Sequence, residues 1–164
     1  MTPLIVIDVQ DRFINDLDFE KPLLVAQVVK AVRKARKENR HIFLVQYRGH
    51  GPTNRSVKKA VANYDKVHIV TKYADNGGLE VWDALQSKKV RHKTLTVCGV
   101  NLGACVASTV NDLVYRGYKC RLVKEATVNT WDAYAPMAKT YFSLNKGTAR
   151  QIHPSIKLTS VRYA

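Results

Sequence analysis

The sequence predicts an α/β fold of three layers, with helices on both faces of a mainly parallel central sheet. Two observations carry this. Short runs of branched apolar residues alternate with segments whose apolar residues recur at helical spacing. In addition, Asp8, Lys72 and Cys105, far apart in the chain, each fall at or just past the end of such a run. Open parallel sheets bind ligands outside the carboxyl ends of their strands. All three side chains are therefore expected on one rim.

The elements follow in order. Residues 3–9 carry the branched side chains of a buried strand. Residues 21–39 place Leu24, Val25, Val28, Val29 and Val32 on a helical stripe. Residues 42–45 form a second strand, ended by Gly49, Gly51 and Pro52. A third strand spans 67–70, and a turn at 76–78 leads into a short helix over 79–85. Residues 94–98 form a fourth strand closed by Gly99, and a helix from about 102 to 115 repeats valine at 106, 110 and 114. Gly117 stops that helix. A fifth strand over 120–123, a helix through 136–144 and a final short β segment complete the series. Neither a linker nor a repeat interrupts the chain, so residues 1–164 read as a single domain.

Composition narrows the function classes. At 46% hydrophobic the 164-residue chain can bury a core and is not expected to be disordered. No apolar run approaches the roughly 18 residues of a membrane span, and the opening residues lack a basic export signal. Three cysteines, an odd number without metal-like spacing, argue against a disulfide framework and for a reducing compartment. The expected location is the cytoplasm.

The 27 Lys and Arg against 13 Asp and Glu give a net charge of +14, a field that attracts anions. Its clusters read otherwise. Lys30, Arg33, Lys34, Arg36, Lys37 and Arg40 lie mostly off the apolar stripe of the first long helix, as a solvated face does. Lys88, Lys89, Arg91 and Lys93 fall in a loop, and neither group carries interleaved aromatics for base stacking. A metal-dependent nuclease would need several converging carboxylates beside Asp8, and none stand out. No Gly-x-Gly-x-x-Gly follows the first strand. The expected partner is a small-molecule substrate rather than nucleic acid or a membrane.

Cys105 is placed to act as a nucleophile. Near a helix start, unpaired N–H groups favour an anion, and the preceding turn contains Gly99 and Gly103. Such a turn allows backbone N–H groups to approach a reacting oxygen. Asp8 could take the thiol proton, although the gap between ordinary Asp and Cys pKa values makes that uphill by roughly 6 kcal/mol. Burial of Asp8 and a cation near the sulfur would narrow the gap, and Lys72 is the candidate cation.

Three segments, together with the later Val123-Lys124-Glu125-Ala126, resemble the isochorismatase-like cysteine hydrolases, whose members include nicotinamidases, ureido hydrolases and N-carbamoyl amide hydrolases. The three are the opening strand through Asp8, Gln10 and Phe13; the stretch Val70-Thr71-Lys72-Tyr73; and Cys98-Gly99-Val100-Asn101-Leu102-Gly103-Ala104-Cys105-Val106 with Thr109, Asp112, Gly117 and Tyr118 after it. The resemblance runs to about Thr130. It implies a Rossmann-like three-layer hydrolase fold and a Cys105 thioester mechanism, with Asp8 as general base and acid and Lys72 supporting both. It further implies a cis peptide before Asn101 and an oxyanion hole from the N–H groups of Asn101 and Cys105. Phe13, Tyr73 and Val100 would border the substrate pocket, and members commonly form homo-oligomers.

Two departures matter. Ala74-Asp75-Asn76-Gly77-Gly78 replaces the Ser and Phe that many members carry after the lysine. Tyr47-Arg48-Gly49-His50 offers one His and no carboxylate, too few donors for a metal shell, so neither a metal nor a cofactor is expected. Arg48 and His50 are expected to face water, the alternative being that they hold a substrate carboxylate; Cys98 and Cys120 are expected to be inert core residues, and His41, His68, His92 and His153 to have no role. Cys105 favours C–N hydrolysis. A vinyl-ether hydrolase and a catalytically silent binding protein of the same fold remain open alternatives, with a basic nucleic-acid-associated protein the least favoured.

Overall fold

The computed structural model describes residues 1–17, 20–128 and a strand at 156–159. Six strands form one sheet: β1 (Leu4–Ile7), β2 (Ile42–Tyr47), β3 (Val67–Lys72), β4 (Thr94–Gly99), β5 (Lys119–Thr127) and β6 (Ile156–Thr159). Their order is β3-β2-β1-β4-β5-β6, and every pairing is parallel. Between them run α1 (Asp11–Ile14) with a 3-10 turn at Asn15–Leu17, α2 (Glu20–Lys37), α3 (Arg55–Ala60), α4 (Gly78–Ser87), a π-turn at Leu102–Val106 and α5 (Ala107–Tyr115). The predicted helix through 136–144 lies outside the described residues.

Alternation along β1 explains the layering. Successive strand side chains point to opposite faces. Ile5 and Ile7 pack with Phe43, Val97, Val110 and Leu113. Leu4 and Val6 face the other way, onto Leu24, Val28, Val32 and Val57. Helices α4 and α5 thus cover one face, and α2 and α3 the other. On the apolar stripe of α2, Leu24, Val28 and Val32 are buried and Val25 and Val29 half-buried, while Arg33, Arg36 and Lys37 stay exposed, as its charge pattern predicts.

Several boundaries differ from expectation for local reasons. β1 stops at Ile7 because Asp8 has φ +52°, in the left-handed region that ends an extended strand. β5 extends to Thr127, past a register shift between Val97 and Gly99. α3 was not foreseen. It starts at Asn54, whose side chain accepts from the Ser56 N–H at 2.9 Å, and buries only Val57 and Ala60. Two apolar positions in six residues give too little periodicity to read.

Ile5 is fully buried at the centre of the sheet. Ile5→Ala is expected to lower stability by about 2–5 kcal/mol, whereas exposed Arg33→Ala should change it by less than about 0.5 kcal/mol. Urea denaturation of both variants checks this.

Candidate active site

Strand order brings the three side chains together. Asp8 follows β1, Lys72 ends β3, and Cys105 lies in the turn after β4. β4 is the immediate neighbour of β1, with Ile7 paired to Gly99. β3 is two strands away from β1, about 9–10 Å. The Lys72 side chain spans that gap. Its Nζ passes 4.0 Å from the centre of the Tyr47 ring on intervening β2 and reaches Asp8 Oδ2 at 2.9 Å.

Lys72 and Asp8 are essentially inaccessible, at 0% and 1% side-chain exposure. The ammonium is fully engaged: besides Asp8 it donates to the carbonyls of Ala74 (2.8 Å) and Asp75 (3.2 Å). Asp8 Oδ1 is buried with no hydrogen-bond partner among the described residues, which leaves a lone pair able to take a proton. Burial pushes the Asp8 carboxyl above the ordinary range, and the attraction of Lys72 offsets only part of that rise.

Gly99 controls the approach of β4 to β1. It has φ +128°, and a Cβ there would lie 2.0 Å from the Ile7 carbonyl oxygen. Only glycine fits. The next peptide, Val100–Asn101, is cis, as the resemblance implies. Cys105 then falls within the π-turn that precedes α5, not within a regular α-helix. The residue is 6% exposed, and its thiol interacts with the Asp8 carboxylate.

Cys105 is pushed up to about 12, first by burial and then by the Asp8 charge, with Lys72 opposing. Burial and the Asp8 charge thus oppose the anion that a helix start and Lys72 were expected to favour, and the protonated sulfur is the favoured resting form. Cys98 and Cys120 are buried and also raised to about 12, consistent with inert core residues.

Other predicted site residues divide. Phe13 stacks on His50 with ring centroids 4.7 Å apart and lies 6.1 Å from the Tyr47 ring. Tyr73 is 62% exposed, with the Arg48 guanidinium 5.4 Å from its ring centre. Val100 packs its fully buried side chain into the core on the α2 side, so only its peptide can meet a ligand. Among the described residues no three His, Cys, Asp or Glu side chains group as metal ligands would.

Two residues escaped sequence reasoning. Gln10 stands in the opening motif, yet its role shows only in three dimensions. Its side chain accepts from the Tyr47 N–H (2.7 Å) and donates to the carbonyls of Tyr47 (3.1 Å) and Gly51 (2.5 Å), clasping the β2 end to β1. Asp75 is the other: its Oδ1 is 3.7 Å from Cys105 Sγ. The sole sequence signal was that the resemblance lapses there.

The isochorismatase domain model matches residues 2–147, nearly the whole chain. The chain belongs to the isochorismatase family. Among curated proteins, this family member is similar to the uncharacterized isochorismatase family protein YddQ of Bacillus subtilis, 29% identical over 143 residues, 79% of this chain and 78% of that protein. Solved structures with a similar fold include the MAR1 ribonuclease of Caenorhabditis elegans. Its TM-score is 0.76 at 17% identity, covering 98% of this chain and 76% of that one. N-carbamoylsarcosine amidase of Thermoplasma acidophilum matches with TM-score 0.73 at 17% identity, over 100% and 99%. At such identities the likeness establishes the fold, and the family establishes a hydrolase.

The buried Lys72–Asp8 pair generates a prediction. Removing one partner of such a pair strands the other charge and typically costs about 3–5 kcal/mol. Lys72→Met should be destabilised by that amount, and Asp8→Asn/Lys72→Met should regain part of it. Denaturant midpoints of the two variants give the answer.

Proposed function

We propose that this isochorismatase-family hydrolase cleaves a C–N bond of a small amide, ureide or carbamoyl compound through a thioester on Cys105. The observation that carries the reading is the buried Lys72–Asp8 pair, 2.9 Å apart, beside the one active-site thiol. Asp8 accepts the S–H proton as sulfur adds to the carbonyl carbon, so no free thiolate need accumulate. The tetrahedral oxyanion takes hydrogen bonds from the N–H groups of Asn101 and Cys105. Collapse expels the amine, which leaves with the proton held by Asp8, and a thioester remains. Water then gives a proton to Asp8 and adds to the thioester, and the departing sulfur recovers that proton. Lys72 holds Asp8 in place throughout.

Phe13 and Tyr73 border the pocket in this reading, with the Val100 peptide behind. A homo-oligomer belongs to it as well, supported by Ile69 and Tyr73, which are exposed on and just beyond edge strand β3. Three unpaired cysteines support a reducing, cytoplasmic setting. No helix among the described residues is long and apolar enough to cross a membrane.

A panel of amides, ureides and carbamoyl compounds tests the reaction. Cys105→Ala should abolish turnover, and Asp8→Asn should cut it by about 10²–10⁴. Intact-mass analysis of wild type should show a transient acyl adduct on Cys105. If no compound turns over, and iodoacetamide labelling of Cys105 ignores Asp8→Asn, the enzyme reading fails and a binding protein replaces it.

The pH profile is a separate expectation. The base must be ionised, and Asp8 is raised above its ordinary 3.8. Activity should therefore fall as pH drops through that raised value, with a midpoint above 3.8. Ionisation of a thiol near 12 should cause no alkaline loss below that pH. Measured kcat/KM against pH checks both limbs.

A further inference from the structure

Outside the three residues already assigned, the charge that most closely approaches the nucleophile is Asp75. Its carboxylate oxygen lies 3.7 Å from Cys105 Sγ, its side chain is exposed to solvent, and no ion pair among the described residues includes it. It therefore borders both the sulfur and the entrance. Lys72 and Asp8 cancel as a pair, so Asp75 leaves the mouth of the site with a negative charge on a protein of net charge +14.

The loop that carries Asp75 is firmly held. Lys72 Nζ binds the carbonyls of Ala74 and Asp75. Thr109 on α5 donates its hydroxyl to the Asp75 carbonyl (3.4 Å) and accepts the Gly77 N–H (2.9 Å). Asn76 accepts the Gly78 N–H (2.8 Å) and donates to Asp112 (3.4 Å). A Cβ at Gly77 would approach Lys72 Cδ to 2.7 Å, so the loop closes tightly on the lysine stem. A carboxylate on so constrained a backbone is preorganised for recognition.

We infer that Asp75 is a specificity residue: it admits carbonyl substrates carrying a positive group next to the scissile bond, such as a protonated amine, amidine or guanidinium, and disfavours anionic ones. The inference rests on the hydrolase reading and names its substrate class. Arg48, the cation on the same rim, lies over the Tyr73 ring, where it meets a π face. Asp75 also adds to the negative potential that holds the Cys105 proton on. A bound cation offsets that potential, so a substrate of this class eases loss of the thiol proton as it binds.

Thiol reagents of different charge test the idea without requiring turnover. Cys105 is labelled at pH 9 with the trimethylammonium-ethyl, sulfonato-ethyl and methyl methanethiosulfonates, and the rate is followed by peptide mass spectrometry. The cationic-to-anionic rate ratio at Cys105, divided by the same ratio for free 2-mercaptoethanol, should be at least about tenfold, the change expected for reversing a unit charge about 6 Å from a carboxylate in water. That normalised ratio should collapse toward one in Asp75→Asn and persist in Asp75→Glu, with the uncharged methyl reagent reporting any change in thiol ionisation that all three reagents share. A ratio unchanged in Asp75→Asn, a faster anionic reagent in wild type, or no labelling of Cys105 by any reagent would overturn the inference. Hydrolysis separates the two readings. If the charge ratio holds while no amide, ureide or carbamoyl compound turns over, the hydrolase reading fails and the cation preference stands. If neutral amides turn over equally in wild type and Asp75→Asn, and cationic ones are not preferred, the hydrolase reading stands and this inference fails.

Discussion

The rest of the site depends on a lysine and an aspartate held together out of water. A buried ion pair is favourable only when its geometry is good and its remaining hydrogen-bonding capacity is met. Lys72 meets that condition with Asp8, two loop carbonyls and the Tyr47 ring. Asp8 keeps one oxygen without a hydrogen-bond partner, the arrangement a proton acceptor needs. The pair thus couples a folding constraint to a chemical capacity. It also explains why β3, two strands from the centre, contributes to a site built around β1 and β4.

Main-chain contacts set the geometry on the other side. Gly99 packs against the Ile7 backbone, so the β1 and β4 ends approach more closely than any side chain would permit. The π-turn then presents Cys105 over the same rim. Desolvation makes the resting sulfur a poor anion, and the adjacent carboxylate makes it poorer still. A site of this kind keeps its thiol protonated until a carbonyl arrives to be attacked. The neighbouring base then has to move with the sulfur, and the raised affinity of Asp8 for a proton suits that task.

Much of this was legible in the sequence. Branched apolar runs mark β1 to β5, the valine and leucine stripe marks α2, and the strand-end rule groups Asp8, Lys72 and Cys105 on one rim. The unread parts share a physical cause: they depend on a single residue or on long-range contacts. α3 is held by one cap and two apolar contacts. The π-turn differs from an α-helix by one residue per turn, which no hydrophobic period reports. Gln10 works through partners about forty positions away, and the proximity of Asp75 to sulfur arises only when Lys72 gathers its loop. The Val100 side chain, placed in the pocket by resemblance, points instead into the core.

The way Lys72 holds its loop has an evolutionary consequence. It grips residues 74 and 75 by their carbonyls, and those groups are the same whatever side chains the residues bear. Mutations at these two positions can therefore alter what the entrance presents to a ligand without dislodging the anchor beneath. A lineage with this architecture can drift through substrate preferences one substitution at a time, keeping an intact reaction centre at every intermediate.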